Sequence, residues 1–121
     1  VSVAMRVLYI AASDPYASQR AQTLLDALLV AASFGAQVSL LFQGHGLLQL
    51  LPEQEATLID RRSLSAQLNA LPLFDVEAIY ADRADAQRLH IDASSSRVDV
   101  QWLEPEAIAS LIAAHDQVIR L

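Results

Sequence analysis

The side chains able to do chemistry are few. Three histidines, His45, His90 and His115, and a loose set of carboxylates, Asp82, Asp85 and Asp92, make up the acid–base inventory, and the chain has no cysteine and no lysine. The absent thiol and amine remove thiolate nucleophiles, disulfides and Schiff bases at once. His45 stands between Gly44 and Gly46, on a turn at a strand end where a general base could sit. A base needs a nucleophile or substrate proton within reach, and a solvated turn histidine is the commoner use of such a position. The three histidines lie far apart and no pair has helical ligand spacing, which argues against a zinc site.

The bland reading also holds for the other groups. His115 follows the last expected helix, where an imidazole interacts favourably with the negative end of the dipole. Asp82, Asp85 and Asp92 show no paired-carboxylate pattern and read as solvated groups. With only Gly35, Gly44 and Gly46 in the chain there is no Walker loop, dinucleotide glycine pattern or G-x-S-x-G elbow. The loop Ser13 to Ser18 offers hydroxyls but no glycine, which suits helix capping better than a phosphate cradle. These residues assign no catalytic group, cofactor ligand or metal ligand.

The elements that must position them alternate regularly. Ala4 to Ala11 is a near-continuous apolar run, fitting a central strand covered on both faces. From Ala17 to Phe34, Leu24, Leu25, Leu28 and Leu29 recur at helical spacing, with Asp14 or Ser18 as the expected cap and Gly35 at the left-handed terminus. Gln37 to Phe42 is the second strand, Gly46 to Leu51 a short helix stopped by Pro52, and Glu53 to Asp60 a polar surface excursion. Ser63 to Leu71 is expected as a helix ended by Pro72, Val76 to Ala81 as the third strand, and Asp82 as the cap of a short helix reaching about Leu89. Ser94 to Ser96 connects to a fourth strand, Arg97 to Leu103, whose Val98, Val100 and Trp102 alternate with Asp99 and Gln101 as on an edge with one wet face. Glu104, Pro105 and Glu106 open the last helix, buried through Ile108, Leu111 and Ile112, and Gln117 to Leu121 closes as a fifth strand. The expected fold class is α/β: a single domain over residues 1–121, a three-layer αβα sandwich with a mostly parallel five-stranded sheet.

Composition limits the partners. A net charge of −6 excludes a nucleic-acid platform, and Arg61-Arg62, the one adjacent basic pair, reads as a solvated helix end. No apolar run approaches a membrane span, and the N-terminus lacks a basic region followed by an apolar core, so a cytoplasmic location is the expectation. The apolar share is 54% and the charged share only 18%, so apolar surface is expected to remain once the core is filled. On a soluble protein such surface usually marks a partner interface.

The residues that carry a family likeness are Leu24-Leu25-Asp26-Ala27-Leu28-Leu29, the block Phe42…Gly46-Leu47-Leu48-Gln49-Leu50-Leu51-Pro52, Leu73-Phe74-Asp75-Val76-Glu77, and the closing His115 to Leu121. Over nearly its whole length the chain resembles the TusC/DsrF subunits of the DsrE/F/H-like sulfur-relay proteins. The resemblance implies a dimer of trimers built with TusB-like and TusD-like sister subunits, linked to upstream and downstream sulfur carriers and serving 2-thiolation of the tRNA wobble uridine. It equally implies, as an alternative, the DsrF-like subunit of a dissimilatory sulfur-oxidation complex.

In the family's active subunits the cysteine sits just after a strand end, which falls here near Ala81 and Asp82. Gln43-Gly44-His45 stands where an acidic-glycine pair is expected. Relay needs a persulfidable thiolate, so the expectation is a non-catalytic structural subunit without cofactor, with Leu47, Leu48, Phe74 and Trp102 as candidate interface residues. The competing expectation is a flavodoxin-like domain binding a small molecule or mononucleotide through the Ser13 to Ser18 loop and the turn at His45.

Overall fold

A computed structural model describes residues 5–14, 19–51, 67–96 and 98–121. Five strands form one sheet: β1 (Arg6–Ala11), β2 (Gln37–Phe42), β3 (Ile79–Asp82), β4 (Gln101–Leu103) and β5 (Gln117–Arg120). Their order is β4-β3-β2-β1-β5, and the sheet expected to be mostly parallel is parallel throughout.

That order fixes which face each connection covers. The steps from β1 to β4 all move the same way across the sheet, so right-handed crossovers put them on one face, and the return to β5 runs over the other. The packing agrees. On the first face Val7, Tyr9, Leu40 and Phe42 meet Leu24, Leu25 and Leu28 of α1 (Arg20–Ser33), together with Leu47, Leu50, Leu68 and Leu71. α2 (Arg83–Arg88) adds Ala86 to that core. On the second face Leu8, Ile10, Leu41 and Leu103 have one helix, α3 (Pro105–Ala113), which contributes Ile108 and Leu111. A parallel sheet is normally covered on both sides; here three connections shield one face and one shields the other.

Local chemistry accounts for most element ends. Gly35 takes φ +89 after α1, and the Gly35 and Ala36 amides donate to the Ala32 and Ala31 carbonyls, satisfying the last turn. Asp82 caps α2 by accepting the Asp85 amide, as expected. Proline at the first position of α3 and Glu106 in its first turn also match the sequence reading.

Several expectations are corrected. The cap position of α1 is Gln19, whose own side chain makes no capping hydrogen bond. The short helix after β2 is a 3-10 helix, Gly44–Leu50. Pro72 does not end the next helix: residues 67–70 are helical and continue into a 3-10 turn, Leu71–Phe74, which Asp75 stops at φ +61. A proline near the start of a 3-10 turn loses no needed N–H, so the chain runs on past it. β3 and β4 are shorter than expected because Val76 and Val98 are held by loop contacts rather than by strand pairing. Ile112 is more than one third exposed and is not part of the buried stripe. Ser18 as cap, the Pro52 stop, the Glu53 to Asp60 excursion, Arg61-Arg62 and the Ser63 cap lie outside the described residues. No helix among the described residues is long and apolar enough to cross a membrane.

Candidate functional site

In an open parallel sheet, ligands and reactive groups collect beyond the carboxyl ends of the strands. At the ends of β2 and β3 the sequence supplies Gln43, Gly44 and His45 on one side and Asp82, Arg83 and Asp85 on the other. They form a closed hydrogen-bond network. The Gln43 Nε2 donates to Asp82 Oδ2 at 3.1 Å, the Asp85 amide to Asp82 Oδ1 at 3.1 Å, and the Gly44 amide to Asp85 Oδ2 at 2.7 Å. Arg88 closes the far side with a 2.7 Å ion pair to Asp85 Oδ1. Both oxygens of each carboxylate are therefore engaged. Asp82 is 8% exposed, a buried carboxylate made tolerable by three features: the helix N-terminus above it, its amide donor and the Gln43 side chain.

Two glycines fix the turn. Gly44 sits at φ +53, and its amide is the one Asp85 captures. At Gly46 an added Cβ would lie 1.9 Å from the Ala11 carbonyl oxygen, so the turn presses directly on the end of β1. His45 is exposed between these anchors. The sequence reading put His45 on a turn ahead of the short helix; the 3-10 helix instead begins at Gly44 and takes His45 into its first turn. The sequence reading also missed the purpose of the flanking glycines, for which the Gly-x-Gly spacing after an apolar strand was the available signal.

Each candidate residue has a definite place. Ala81 is fully buried and Asp82 nearly so, at the β3 end where the family's cysteine is expected. Leu47 is fully enclosed in the chain's own core, and Leu48 is half-buried. Trp102 is half-buried against the same core. Phe74 is exposed at the opposite, amino-terminal end of the sheet. These four do not come together in one patch. Of the competing loop, Ser13 and Asp14 are described; Ser13, Arg20 and Arg120 line a cavity of about 300 Å³ between the ends of β1 and β5.

His115 was expected to interact with the C-terminus of α3. Its Nδ1 does contact the Leu111 carbonyl at 2.7 Å, and its Nε2 also reaches Ser39 Oγ on β2 at 2.9 Å. A carbonyl only accepts, so Nδ1 donates to Leu111, while Nε2 and the Ser39 hydroxyl share the second hydrogen bond. The pair forms part of the wall of a cavity of about 470 Å³ at the amino-terminal ends of β2 and β3, a location sequence reasoning missed because Ser39 carries no motif. His90 is exposed after α2, at φ +58, and joins none of these groups.

Among the described residues no three histidine or acidic side chains gather as metal ligands. The carboxyl end thus holds acidic, amide and imidazole groups but nothing able to carry sulfur covalently.

An open αβα sandwich of five parallel strands, with a polar network closing the end of β3, is the class these observations define. Residues 5–121 match the DsrE/DsrF-like family, and the chain belongs to it. It is 30% identical over 115 residues to the Protein TusC homolog of Pseudomonas aeruginosa, across 95% of this chain and 97% of that one. It is 30% identical over 116 residues to Protein TusC of Klebsiella pneumoniae subsp. pneumoniae, across 95% and 98%. The crystal structure of the ychN protein from E. coli superposes with a TM-score of 0.82 over 97% of this chain and 99% of that one; at 13% identity it bears on the fold alone. The resemblance read from the sequence is borne out by family and relatives.

Proposed function

We propose that this chain is a non-catalytic structural subunit of a cytoplasmic sulfur-relay complex serving 2-thiolation of the tRNA wobble uridine, assembled with TusB-like and TusD-like sister chains as a dimer of trimers. The observation that carries the reading is the chemistry at the end of β3. Persulfide relay requires a thiolate that attacks one sulfur and is attacked in turn. At the expected position stands Asp82, buried, capping α2 and bound by Gln43. A carboxylate committed in this way cannot replace a thiol, because it forms no persulfide. The remaining contribution is mechanical: covering apolar surface of the sister chains and holding their reactive loops in register.

Co-expression with the two sister chains followed by size-exclusion chromatography tests this. Co-elution as a complex larger than any trimer is the expected result. A chain that stays monomeric in the presence of both refutes the reading.

A second reading, a mononucleotide or small-molecule binder, is favoured by one observation, the cavity with Arg20 and Arg120 between the ends of β1 and β5. The two strands lie where the direction of the crossovers reverses, the usual ligand position of such sheets. A thermal-shift screen with flavins and nucleotides distinguishes the readings; a large shift favours the binder.

A further inference from the structure

Resting on the reading of this chain as a subunit, we propose that the amino-terminal end of the sheet, from Met5 and Phe34 across to Leu73 and Phe74, docks a partner of a different sequence whose contact segment carries an apolar anchor flanked by arginine or lysine. Scattered exposed apolar side chains need no explanation. These four are not scattered. Phe34 is 87% exposed, Leu73 84%, Met5 49% and Phe74 39%, and all stand ahead of β1, β2 or β3 in sequence.

Backbone and packing contacts bring those segments together. The Gln37 amide donates to the Met5 carbonyl, joining the start of β1 to the turn after α1. α1 packs against the Leu71–Phe74 turn. Ala32 and Ala36, on either side of Phe34 in sequence, line the same cavity of about 470 Å³ as Phe74.

The fold itself has no use for these side chains. Phe34 caps α1 through its backbone amide alone, and Gly35 supplies the left-handed turn. Leu71 and Val76, both fully buried, supply the core contacts around Leu73. Any polar residue would serve at positions 34 and 73 in an isolated chain.

The cavity offers both kinds of contact. Ala32, Ala36, Val38, Phe74 and Leu111 supply apolar wall, Ser39 and His115 are bound to one another, and Arg6, Gln37, Asp75 and Glu77 make the rest of the lining polar. An apolar anchor packs on the first group while a flanking cation meets the carboxylates.

The charge around the mouth selects the partner. Asp75 and Glu77 line it, and Asp116, whose carboxylate accepts the Arg6 amide at 2.8 Å, lies beside His115; all three are exposed, and among the described residues the lining sets one guanidinium, that of Arg6, against them. Two copies meeting through this end would oppose carboxylate to carboxylate, in a chain already at −6. A basic segment on another chain complements it.

The test measures affinity of the intact chain for each purified sister chain by calorimetry, at low and high salt. Phe34→Ser with Leu73→Ser is expected to weaken binding to one sister chain at least about tenfold. Asp75→Asn with Glu77→Gln is expected to weaken it several-fold and flatten its salt dependence. Gln87→Ala, exposed on α2 at the carboxyl end of the sheet, is expected to leave that affinity unchanged. Circular dichroism confirms that each variant is folded. Sister chains that bind the wild type and both rim variants equally overturn the docking surface while leaving the subunit reading intact. So does light scattering that shows the isolated chain dimerising through Phe34 and Leu73. If no sister chain binds the wild type, the subunit reading falls and this inference with it.

Discussion

The two ends of the sheet are built on opposite principles. At the carboxyl ends of β2 and β3, polar side chains are turned inward and bound to one another: Gln43 to Asp82, Asp82 to the α2 amide, Asp85 to Gly44 and Arg88. At the amino-terminal end large apolar side chains are turned outward, with Phe34 and Leu73 more than four-fifths exposed. Enzymes of this architecture do the reverse, keeping reactive polar groups available at the carboxyl end. Here the carboxyl ends of β2 and β3 are locked by structure and the opposite end offers surface, a distribution suited to a subunit that positions others.

If that contrast is right, substitutions at the carboxyl end act on stability and those at the amino end on binding. Gly46→Ala is expected to have the largest effect, about 3 kcal/mol or more of lost stability in urea unfolding. Its Cβ would meet the Ala11 backbone at 1.9 Å, and backbone cannot swing aside as a side chain can. Asp82→Ala comes next, at about 2–3 kcal/mol, since it removes a cap and leaves the Gln43 amide without its acceptor. Asp82→Asn, which keeps an oxygen for the Asp85 amide, is expected to lose less. An Asp82→Ala protein as stable as wild type would show that the network is ornamental.

Phe34→Ser with Leu73→Ser should change stability by no more than about 0.5 kcal/mol, as for surface positions without special contacts. A large loss there would mean that the apolar rim serves the fold and would remove its claim to be an interface.

The smallest expected effects come from titration. Burial raises the Tyr9 phenol above its ordinary 10.0, so the fold holds the neutral form. Its contribution is present below that pH and is lost as pH rises through the elevated value, giving weaker stability only in strong alkali. Asp92 has the opposite sign. Hydrogen bonds from the Ser94 amide and hydroxyl lower its carboxyl below 3.8, so its contribution is present above that pH and fades as pH falls. Asp92→Asn should flatten a small part of the acid limb of a stability-against-pH curve.

The fold was legible because the pattern is local. Strand β2, the leucines of α1 with Gly35 at its end, the Asp82 cap and the Pro105 start each follow from spacing and backbone preference within a few residues. The errors arose at element ends and at the rim of a helix face: Pro72 sits at the start of a 3-10 turn, and Ile112 on α3 is more than one third exposed. The site was half legible. The absence of a thiol is a fact of sequence and Asp82 was read correctly as the cap of α2, but its reading as a solvated group fails, because it is buried and bound by Gln43. The pairing of Gln43 with Asp82 joins positions 39 residues apart, and that of Ser39 with His115 joins positions 76 apart. Neither separation leaves a trace in local periodicity, and register across a parallel sheet is what brings each pair together.

The most direct test is intact-mass spectrometry of every chain in the reconstituted complex after loading from a persulfide donor. Added sulfur on a cysteine-bearing sister chain, with this chain at its unmodified mass, is the expected result. Reducible sulfur bound covalently to this chain would contradict a purely structural role.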